Sequence, residues 1–448
     1  MKKECTGRTP VCGFARAYQK SGTLRLHMPG HKGKGETESL DLTEIRGLDP
    51  LYSGRGIARE SEETAAELFG AGRTVFSAEG SSLCVRAMLF LIRMRAERLK
   101  IPARILAGRN AHASFLSAAA LLDLEVRWLR GESLITCRPT PAELEAALDG
   151  LEEPPAAVYL TSPDYLGNMA DIRSLARVCR KRGVPLAVDN AHGAYLRFLP
   201  EDQHPLTLGA DMTCDSAHKT LPVLTGGAWL HISGDADPVF AEQADRAMAM
   251  FASTSPSWLI LQSLDRCNQY LADGYREKLS AFAALTDGLK ERLRAMGMTP
   301  DGEEKLKITL RTRGYGYTGD GMHDLLRKLG IECEFSDPDV LVMMVTPETG
   351  EEGLERLEAA LRAVPRKEAL QEVCPALPEP DPVMPVREAM LAPAEKLPVR
   401  ESLGRILAEP CVSCPPAVPI AVSGDRIGEQ AVRCFEYYGI NEVSCVIQ

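Results

Sequence analysis

Short apolar runs alternate with longer amphipathic segments through the middle of the chain. Seven such runs lie between residues 73 and 232: RTVFSA (73–78), ARILAG (103–108), EVRWL (125–129), AAVYLT (156–161), PLAVDN (185–190), DMTCDS (211–216) and GGAWLHI (226–232). Most segments between them have the periodicity of helices. Strands that alternate with helices predict an α/β fold with a mainly parallel sheet. Ligands bind such sheets beyond the carboxyl ends of the strands.

Local capping signals predict where two of the helices begin. Ser61 opens the segment SEETAAELFGAG, whose first turn is acidic and which ends at glycines. Thr140 precedes PAELEAALDG and is the predicted N-cap of that helix. Each prediction concerns a hydroxyl that would accept a backbone N–H in the first helical turn.

Outside the alternating region the pattern predicts further domains. The start is rich in glycine, proline and charge, as in LHMPGHKGKG (26–35), which favours an extended arm with turns. A long helical pattern at 256–297 precedes a small α/β pattern within 306–364, and a helix is predicted near 385–408. We therefore predict an N-terminal arm (1–60), a large domain (61–297), a small α/β domain (298–368), a proline-rich linker (369–382) and a C-terminal domain (383–448).

Composition and charge exclude several classes of protein. Hydrophobic residues make up 45% and charged residues 25% of the 448 residues, as in ordinary globular proteins. The net charge of −10 argues against a nucleic-acid partner, which requires a basic face. No stretch reaches the roughly 20 apolar residues of a membrane span, and the start MKKECTGRTP lacks the apolar core of a signal peptide. We expect a cytoplasmic protein without a membrane partner, whose thirteen cysteines are reduced thiols.

Two patterns resemble metal-ligand sets, and we interpret neither as a metal site. Cys411 and Cys414 form a single CxxC with no second pair and no histidine cluster nearby. His27 and His31 lie in the glycine-rich arm, where we expect tight turns. The sequence therefore predicts no bound metal.

Three loops that follow apolar strands carry matching chemistry. In SAEGSS (77–82), Gly80 permits a tight turn, and two serine hydroxyls, those of Ser81 and Ser82, stand beside the free N–H groups of a helix start, which suits a phosphate. Asp189 ends a strand in VDNAHG, where a carboxylate needs a cation or several donors. Lys219 follows another strand in DSAHKT, and a lysine in such a position can attack a carbonyl.

Together these loops fit pyridoxal 5′-phosphate. The lysine would form a Schiff base with the cofactor, the carboxylate would keep the pyridine nitrogen protonated, and the serines would hold the phosphate. A fourth loop, GRNAHAS (108–114), carries His112 at the end of its strand. His112 would either stack on the cofactor ring or cap the following helix.

The order of motifs along the chain resembles the Orn/Lys/Arg decarboxylase family. It runs through HMPGHKG, RNAHAS, TSPDYLG, VDNAHGAYL, DSAHKTLPVLTGGAWLH and REAMLAPAEKLPVRESLGRILAE, which together span nearly the whole chain. The family consists of fold type I pyridoxal-phosphate enzymes, and the match is to its shorter form without the N-terminal wing domain.

The resemblance implies a role for each matching residue. Lys219 would bind the cofactor covalently, Asp189 would pair with the pyridine nitrogen, and His218 would lie near both the phosphate and the reacting carbon. The remaining contacts would come from Ser81, Ser82 and Ser216 at the phosphate, Ala191 against the ring, His192 near the phenolic oxygen and His112 over the other face.

The activity implied is decarboxylation of arginine, lysine or ornithine, which yields CO2 and an amine used to make polyamines. Relatives form their sites at a dimer interface, so a homodimer or larger homo-oligomer is expected. The chain departs from the family near the substrate, with PLYSG (50–54), PPAVP (415–419) and SGD (423–425). Glu79 stands where the family usually has asparagine, and either Glu79 or Asp425 could meet the cationic end of a substrate.

Two alternatives remain open at the level of sequence. The same cofactor could serve transamination or β-elimination, and Arg311 or Arg313 could then hold the substrate α-carboxylate. A non-catalytic paralogue that keeps the fold is the other alternative. Intact Asp189 and Lys219 argue against it, since packing requires neither.

Overall fold

The main sheet has seven strands, in the order β1-β7-β6-β5-β4-β2-β3. In the computed structural model, which describes residues 7–43, 45–371, 374–413 and 418–447, they are β1 (Arg73–Ser77), β2 (Arg104–Gly108), β3 (Glu125–Leu129), β4 (Ala157–Thr161), β5 (Leu186–Asp189), β6 (Met212–Asp215) and β7 (Ala228–Ile232). The pairs β5–β6 and β2–β3 are parallel, whereas β7 is antiparallel to β1 and β6. The predicted α/β fold with a mainly parallel sheet is confirmed, and each predicted apolar run contains one of these strands.

Contacts within the chain define two compact units. The first consists of the described residues of Met1–Pro102, Ala156–Val158 and Ile172–Lys278. Its helices are α1 (Pro10–Lys20), α2 (Gly56–Phe69), α3 (Gly80–Leu99), α6 (Ile172–Lys181), α7 (Pro205–Leu208), α8 (Ala217–Thr220), α9 (Pro238–Glu242), α10 (Ala244–Phe251) and α11 (Trp258–Ala272). Helix α3 packs on strands β1, β6 and β7 and on helix α10.

The second unit consists of the described residues of Ala103–Pro155, Tyr159–Asp171 and Leu279–Gln448. It includes α4 (Ala113–Leu122) and α5 (Pro141–Asp149), and α12 (Tyr275–Ala295) ends in it. An antiparallel sheet, β10-β11-β9-β8, follows with β8 (Thr299–Asp301), β9 (Lys307–Arg311), β10 (Phe335–Ser336) and β11 (Val340–Met344). Helices α13 (Gly319–Lys328) and α14 (Gly350–Arg362) belong to the same region.

The C-terminal part of the second unit has two antiparallel strand pairs. They are formed by β12 (Ala394–Pro398) with β15 (Glu442–Val446) and by β13 (Cys411–Ser413) with β14 (Pro419–Val422). Helices α15 (Val386–Leu391) and α16 (Glu429–Tyr437) complete this part. A buried cluster that includes Leu407, Ile420, Phe435 and Val443 forms its core.

Several local predictions can be compared directly with the structure. Thr140 caps α5 as predicted: its hydroxyl accepts the N–H of Glu143 at 3.2 Å, and the Glu143 carboxylate accepts the N–H of Thr140 at 2.6 Å. Ser61 does not start a helix, because α2 already begins at Gly56 and the buried Ser61 hydroxyl instead donates to Asp265 Oδ1 at 2.6 Å.

The helix predicted near 385–408 is wrong over most of its length. Helix α15 ends at Leu391, and β12 follows at residues 394–398. Pro393 and Pro398 lie inside the predicted segment, and proline lacks the N–H that a helix interior needs. The N-terminal arm also differs from the extended segment expected, because α1 forms an 11-residue helix that buries Val11, Cys12 and Ala15.

The helices of the described residues differ from membrane-spanning helices. None of them combines the length and the apolar composition that a membrane crossing would require.

Candidate active site

Two neighbouring strand ends of the first unit carry the principal predicted residues. Asp189 is the last residue of β5, and Ser216 and Lys219 follow β6 directly. Since β5 and β6 are parallel, their carboxyl ends lie at the same edge of the sheet. The sheet therefore brings the predicted carboxylate and lysine loops side by side.

The side chain of Lys219 lies against that of His192. Its Nζ is 3.0 Å from Nε2 of His192, which is within hydrogen-bond distance. A lysine ammonium can only donate, so His192 Nε2 accepts when Lys219 is charged. The short helix α8 presents the lysine, and the Lys219 N–H donates to the carbonyl of Ser216 at 3.1 Å. Two residues predicted to surround one cofactor thus form a pair.

The start of the long helix α3 has open space beside Gly80. Gly80 begins the helix with φ of 71°, a conformation that favours glycine, and its N–H donates to the carbonyl of Gly226 at 2.7 Å. A Cβ built on Gly80 would meet no atom within 4 Å. The hydroxyls of Ser81 and Ser216 are 2.8 Å apart, and Ser82 follows in the same helical turn. Hydroxyls beside a helix N-terminus suit a phosphate, so these residues fit that part of pyridoxal phosphate.

Asp189 is nearly buried, with 4% of its surface exposed. Its Oδ1 accepts the N–H of Ala191 at 3.1 Å and the thiol of Cys214 at 3.4 Å. Cys214 was missed by sequence reasoning because its contact depends on strand register, in which Asp189 and Cys214 are direct partners. Ala191 is buried beside the carboxylate, and its predicted contact with the cofactor ring stays a prediction.

His218 is fixed by a backbone carbonyl. Its Nδ1 lies 3.0 Å from the carbonyl oxygen of Gly227 and therefore donates to it. In the neutral imidazole this leaves Nε2 without a proton, so Nε2 is the atom that could take one up. The predicted position of His218 near the phosphate and reacting carbon stays a prediction.

A fully buried network lies directly behind these loops. Asp215 accepts Asn190 Nδ2 on Oδ1 at 3.1 Å and His204 Nε2 on Oδ2 at 2.8 Å, and His231 Nε2 lies 3.8 Å from the same Oδ2. Burial alone would raise the pKa of Asp215, but the charge and hydrogen bond of His204 lower it. Burial lowers the pKa of His231 to about 3, so this imidazole is neutral.

The same network contains three residues of types that can bind metals. The ligand atoms of His204, Asp215 and His231 all lie within 4.8 Å of one another. However, Nδ1 of His204 accepts the N–H of Leu206 at 3.3 Å, so its neutral form carries the proton on Nε2, the atom that faces Asp215. A protonated nitrogen cannot bind a metal, so the network is better explained as a hydrogen-bonded support for the loops.

His112 belongs to the second unit. It is exposed and forms the N-cap of α4, where its Nδ1 accepts the N–H of Ser114 at 3.2 Å. This is the capping role considered for it from the sequence. Its stacking on a cofactor ring stays a prediction.

The two acidic residues considered for substrate binding have different environments. Glu79 is exposed, and its Oε1 accepts the N–H of Ser253 at 2.7 Å. Asp425 is only 3% exposed and pairs with the equally buried Arg109, at 2.7 Å from Nη2. Because Arg109 already neutralises Asp425, the structure does not support a role for Asp425 in binding a substrate cation.

The remaining sequence patterns serve local structure or lie outside the described residues. His27 Nε2 is 2.7 Å from the Tyr18 hydroxyl, and His31 Nε2 is 3.2 Å from Asp41 Oδ2. Cys411 starts β13, whereas Cys414 and residues 415–417 of PPAVP lie outside the described residues.

The chain is similar to known proteins over most of its length. The family model described as Orn/Lys/Arg decarboxylase, major domain, matches residues 10–296. The chain is 30% identical to the arginine decarboxylase of Halalkalibacterium halodurans, over 94% of this chain and 91% of the relative. It is 29% identical to the arginine decarboxylase of Bacillus subtilis, over 95% of this chain and 92% of the relative.

Solved structures show the same fold at low sequence identity. The lysine decarboxylase of Francisella novicida superposes with a TM-score of 0.81 at 16% identity, covering 99% of this chain and 82% of that chain. The constitutive lysine decarboxylase of E. coli gives a TM-score of 0.77 at 17% identity, with 98% and 82% covered. Serine palmitoyltransferase of Sphingomonas wittichii, a more distant structure, gives 0.55 at 17% identity, with 80% and 85% covered.

Proposed function

The chain belongs to the Orn/Lys/Arg decarboxylase family and is a pyridoxal-phosphate-dependent amino-acid decarboxylase; on that premise we propose that its substrate is a basic amino acid, with arginine first and lysine and ornithine as alternatives. The observation that carries the choice of arginine is that the relatives aligned over more than 90% of this chain include three arginine decarboxylases. The exposed carboxylate of Glu79, the residue before Gly80 at the start of α3, supports a cationic substrate.

The residues that would hold the cofactor are those of the first unit. Gly80, Ser81, Ser82 and Ser216 would surround its phosphate, through hydroxyls and the N-terminus of α3. Asp189 would accept a charge-assisted hydrogen bond from the protonated ring nitrogen. This bond would stabilise the cationic ring. When bound, the cofactor supplies a conjugated cation that accepts the electrons of the broken Cα–carboxylate bond.

Proton movement would be the task of Lys219, His192 and His218. Lys219 Nζ, 3.0 Å from His192 Nε2, would pass a proton to the imidazole and so become a nucleophile. After CO2 leaves, either Lys219 or His218 would return a proton to Cα of the product. For His218 the atom would be Nε2, after this nitrogen has taken up a proton, because Nδ1 donates to the Gly227 carbonyl.

Transamination receives no support from the two candidate arginines. Arg311 binds Asp301, with 2.7 Å between Nη2 and Oδ2. Arg313 donates from Nε and Nη2 to the carbonyl of Gln371 at 2.9 and 2.5 Å. Both guanidinium groups therefore already bind neighbouring protein groups. Holding an α-carboxylate would instead require two donors of one guanidinium directed at the ligand.

The test is CO2 release from arginine, lysine and ornithine, each supplied separately, with keto-acid formation measured in parallel. We expect CO2 and the corresponding amine with at least one of the three, and loss of both in Lys219→Ala. Keto acid formed in proportion to substrate consumed would favour transamination. A folded, cofactor-loaded protein that releases no CO2 from any of them would contradict the proposal.

The setting of the enzyme is also proposed from the family resemblance. We expect a cytoplasmic enzyme that acts as a homodimer or larger homo-oligomer, without nucleic-acid or membrane partners. Light scattering on the purified chain measures the assembly, and a monomer at micromolar concentration that retains full activity would contradict it.

A further inference from the structure

We propose that Cys214 is a positioning residue whose thiol, by donating a hydrogen bond to Asp189, holds that carboxylate in the orientation that receives the cofactor ring nitrogen. The inference rests on the proposed role of Asp189. It concerns a residue that would not touch the cofactor itself and would act only through the carboxylate.

Strand register places the thiol beside the carboxylate. Asp189 and Cys214 are paired across the parallel strands β5 and β6, and paired residues point to the same face of a sheet. Cys214 Sγ lies 3.4 Å from Asp189 Oδ1, within range for a thiol donor, and the thiol is completely buried. No loop movement is needed to form the contact, since both residues belong to strands.

The thiol can only act as a donor if it keeps its proton. Burial, and then the nearby Asp189 carboxylate, raise the pKa of Cys214 well above that of an ordinary thiol. The raised pKa keeps the Cys214 thiol protonated, and therefore neutral, near neutral pH. A neutral S–H pointing at a carboxylate is attractive, whereas a thiolate there would be repelled.

Two donors from different directions meet at one oxygen of Asp189. Cys214 approaches from the neighbouring strand, and the Ala191 N–H approaches from the loop after β5 at 3.1 Å. A carboxylate at a strand end can rotate about its side-chain bonds. A single hydrogen bond to Oδ1 restricts this rotation only in part. A second donor restricts it, so the carboxylate is already oriented before the cofactor arrives.

The matched test uses Cys214→Ser and Cys214→Ala, which leave nearly the same volume but differ in one hydroxyl donor. The measurement is titration of the cofactor-free full-length protein with pyridoxal phosphate, followed by the absorbance of the lysine–cofactor linkage. We expect Cys214→Ala to bind about threefold to tenfold more weakly than Cys214→Ser, which corresponds to the usual net value of one hydrogen bond. If packing alone mattered, serine would bind no better than alanine.

The pair Cys214→Thr and Cys214→Val repeats the comparison at larger volume, in case either smaller variant fails to fold. Cys267, equally buried in α11, supplies the control. Cys267→Ser and Cys267→Ala should leave the cofactor titration unchanged. Equal affinity within both Cys214 pairs would overturn the inference.

Asp189→Ala separates this inference from the proposed function. We expect this change to weaken cofactor binding strongly and to abolish the difference between Cys214→Ser and Cys214→Ala when combined with each of them. If Asp189→Ala binds the cofactor normally with an unchanged absorbance band, the proposed role of Asp189 fails. If Asp189→Ala weakens binding but the serine–alanine difference persists in its presence, only the role of Cys214 fails.

Discussion

The buried ion pair between Arg109 and Asp425 predicts that Asp425 serves stability and not substrate binding. Both residues are 3% exposed, and Nη2 of Arg109 lies 2.7 Å from Oδ2 of Asp425. The same carboxylate oxygen accepts the N–H of Val422 at 3.1 Å, and the guanidinium lies 5.2 Å from the ring centre of Trp128. Asp425→Asn keeps the size of the side chain and removes only its charge.

The expected cost follows from the charge that would remain. Removing one partner of a buried pair destabilises a protein by about 3–5 kcal/mol, because the other charge stays buried and uncompensated. Few other groups could compensate the charge of Arg109 once Asp425 is neutral. Its buried Nη1 already has no hydrogen-bond partner within the described part of the chain. At about 2–4 °C per kcal/mol for a unit of this size, the transition should fall by roughly 6–20 °C. A further change, Arg109→Leu, should recover part of the loss by removing the orphaned charge.

The assay is calorimetry on the full chain, with KM for the amino-acid substrate measured well below the transition. Asp381→Asn is the control, because Asp381 and Arg426 form an exposed pair at 3.7 Å, worth at most about 1 kcal/mol. We expect a large fall in transition temperature for Asp425→Asn, a small one for Asp381→Asn, and unchanged KM in both. If Asp425→Asn kept its transition temperature and raised KM tenfold, the reasoning would be refuted and the substrate role restored.

Three further outcomes are expected. Lys219→Ala should lose the absorbance of the lysine–cofactor linkage, and a purified variant that retains this band would exclude Lys219 as the attachment site. The His231 pKa of about 3 lies below the usual 6.5, so stability should fall as the pH drops below 6.5, by about 1.4 kcal/mol per unit. His231→Gln should flatten that fall between pH 7 and 5 in thermal melts, and an unchanged slope would argue against the assignment. Thr140→Ala should cost about 1 kcal/mol by removing the cap of α5; a melt identical to that of the unaltered protein would contradict it.

Local signals in the sequence were sufficient for the strands and the site loops. Most apolar runs of the main sheet became buried strands, because burial on both faces requires continuous apolar residues, and this is visible without knowing any neighbour. The exception is β3 at the sheet edge, whose Glu125 and Arg127 are exposed. The same reasoning failed near 385–408, because the helix prediction followed the periodicity and ignored Pro393 and Pro398. It also failed at Ser61, whose hydroxyl meets Asp265, a partner 204 positions away. No local rule contains that information.

Some residues of the candidate site could likewise be predicted from local sequence signals, and others could not. Asp189 and Lys219 could be found because each ends or follows a strand, and a charged residue there needs a chemical reason. Their supports, Cys214 and Asp215, are polar residues within a buried strand, and nothing in the linear sequence says which loop each one faces. Register decides this: pairing Asp189 with Cys214 turns the thiol toward the carboxylate, and the next residue, Asp215, accepts Asn190 and thereby ties the two strand ends together. A shift of one residue would bring Asp215 opposite Asp189 and place two buried carboxylates together, which is electrostatically unfavourable. The register that pairs Asp189 with Cys214 therefore also keeps the two carboxylates out of direct opposition.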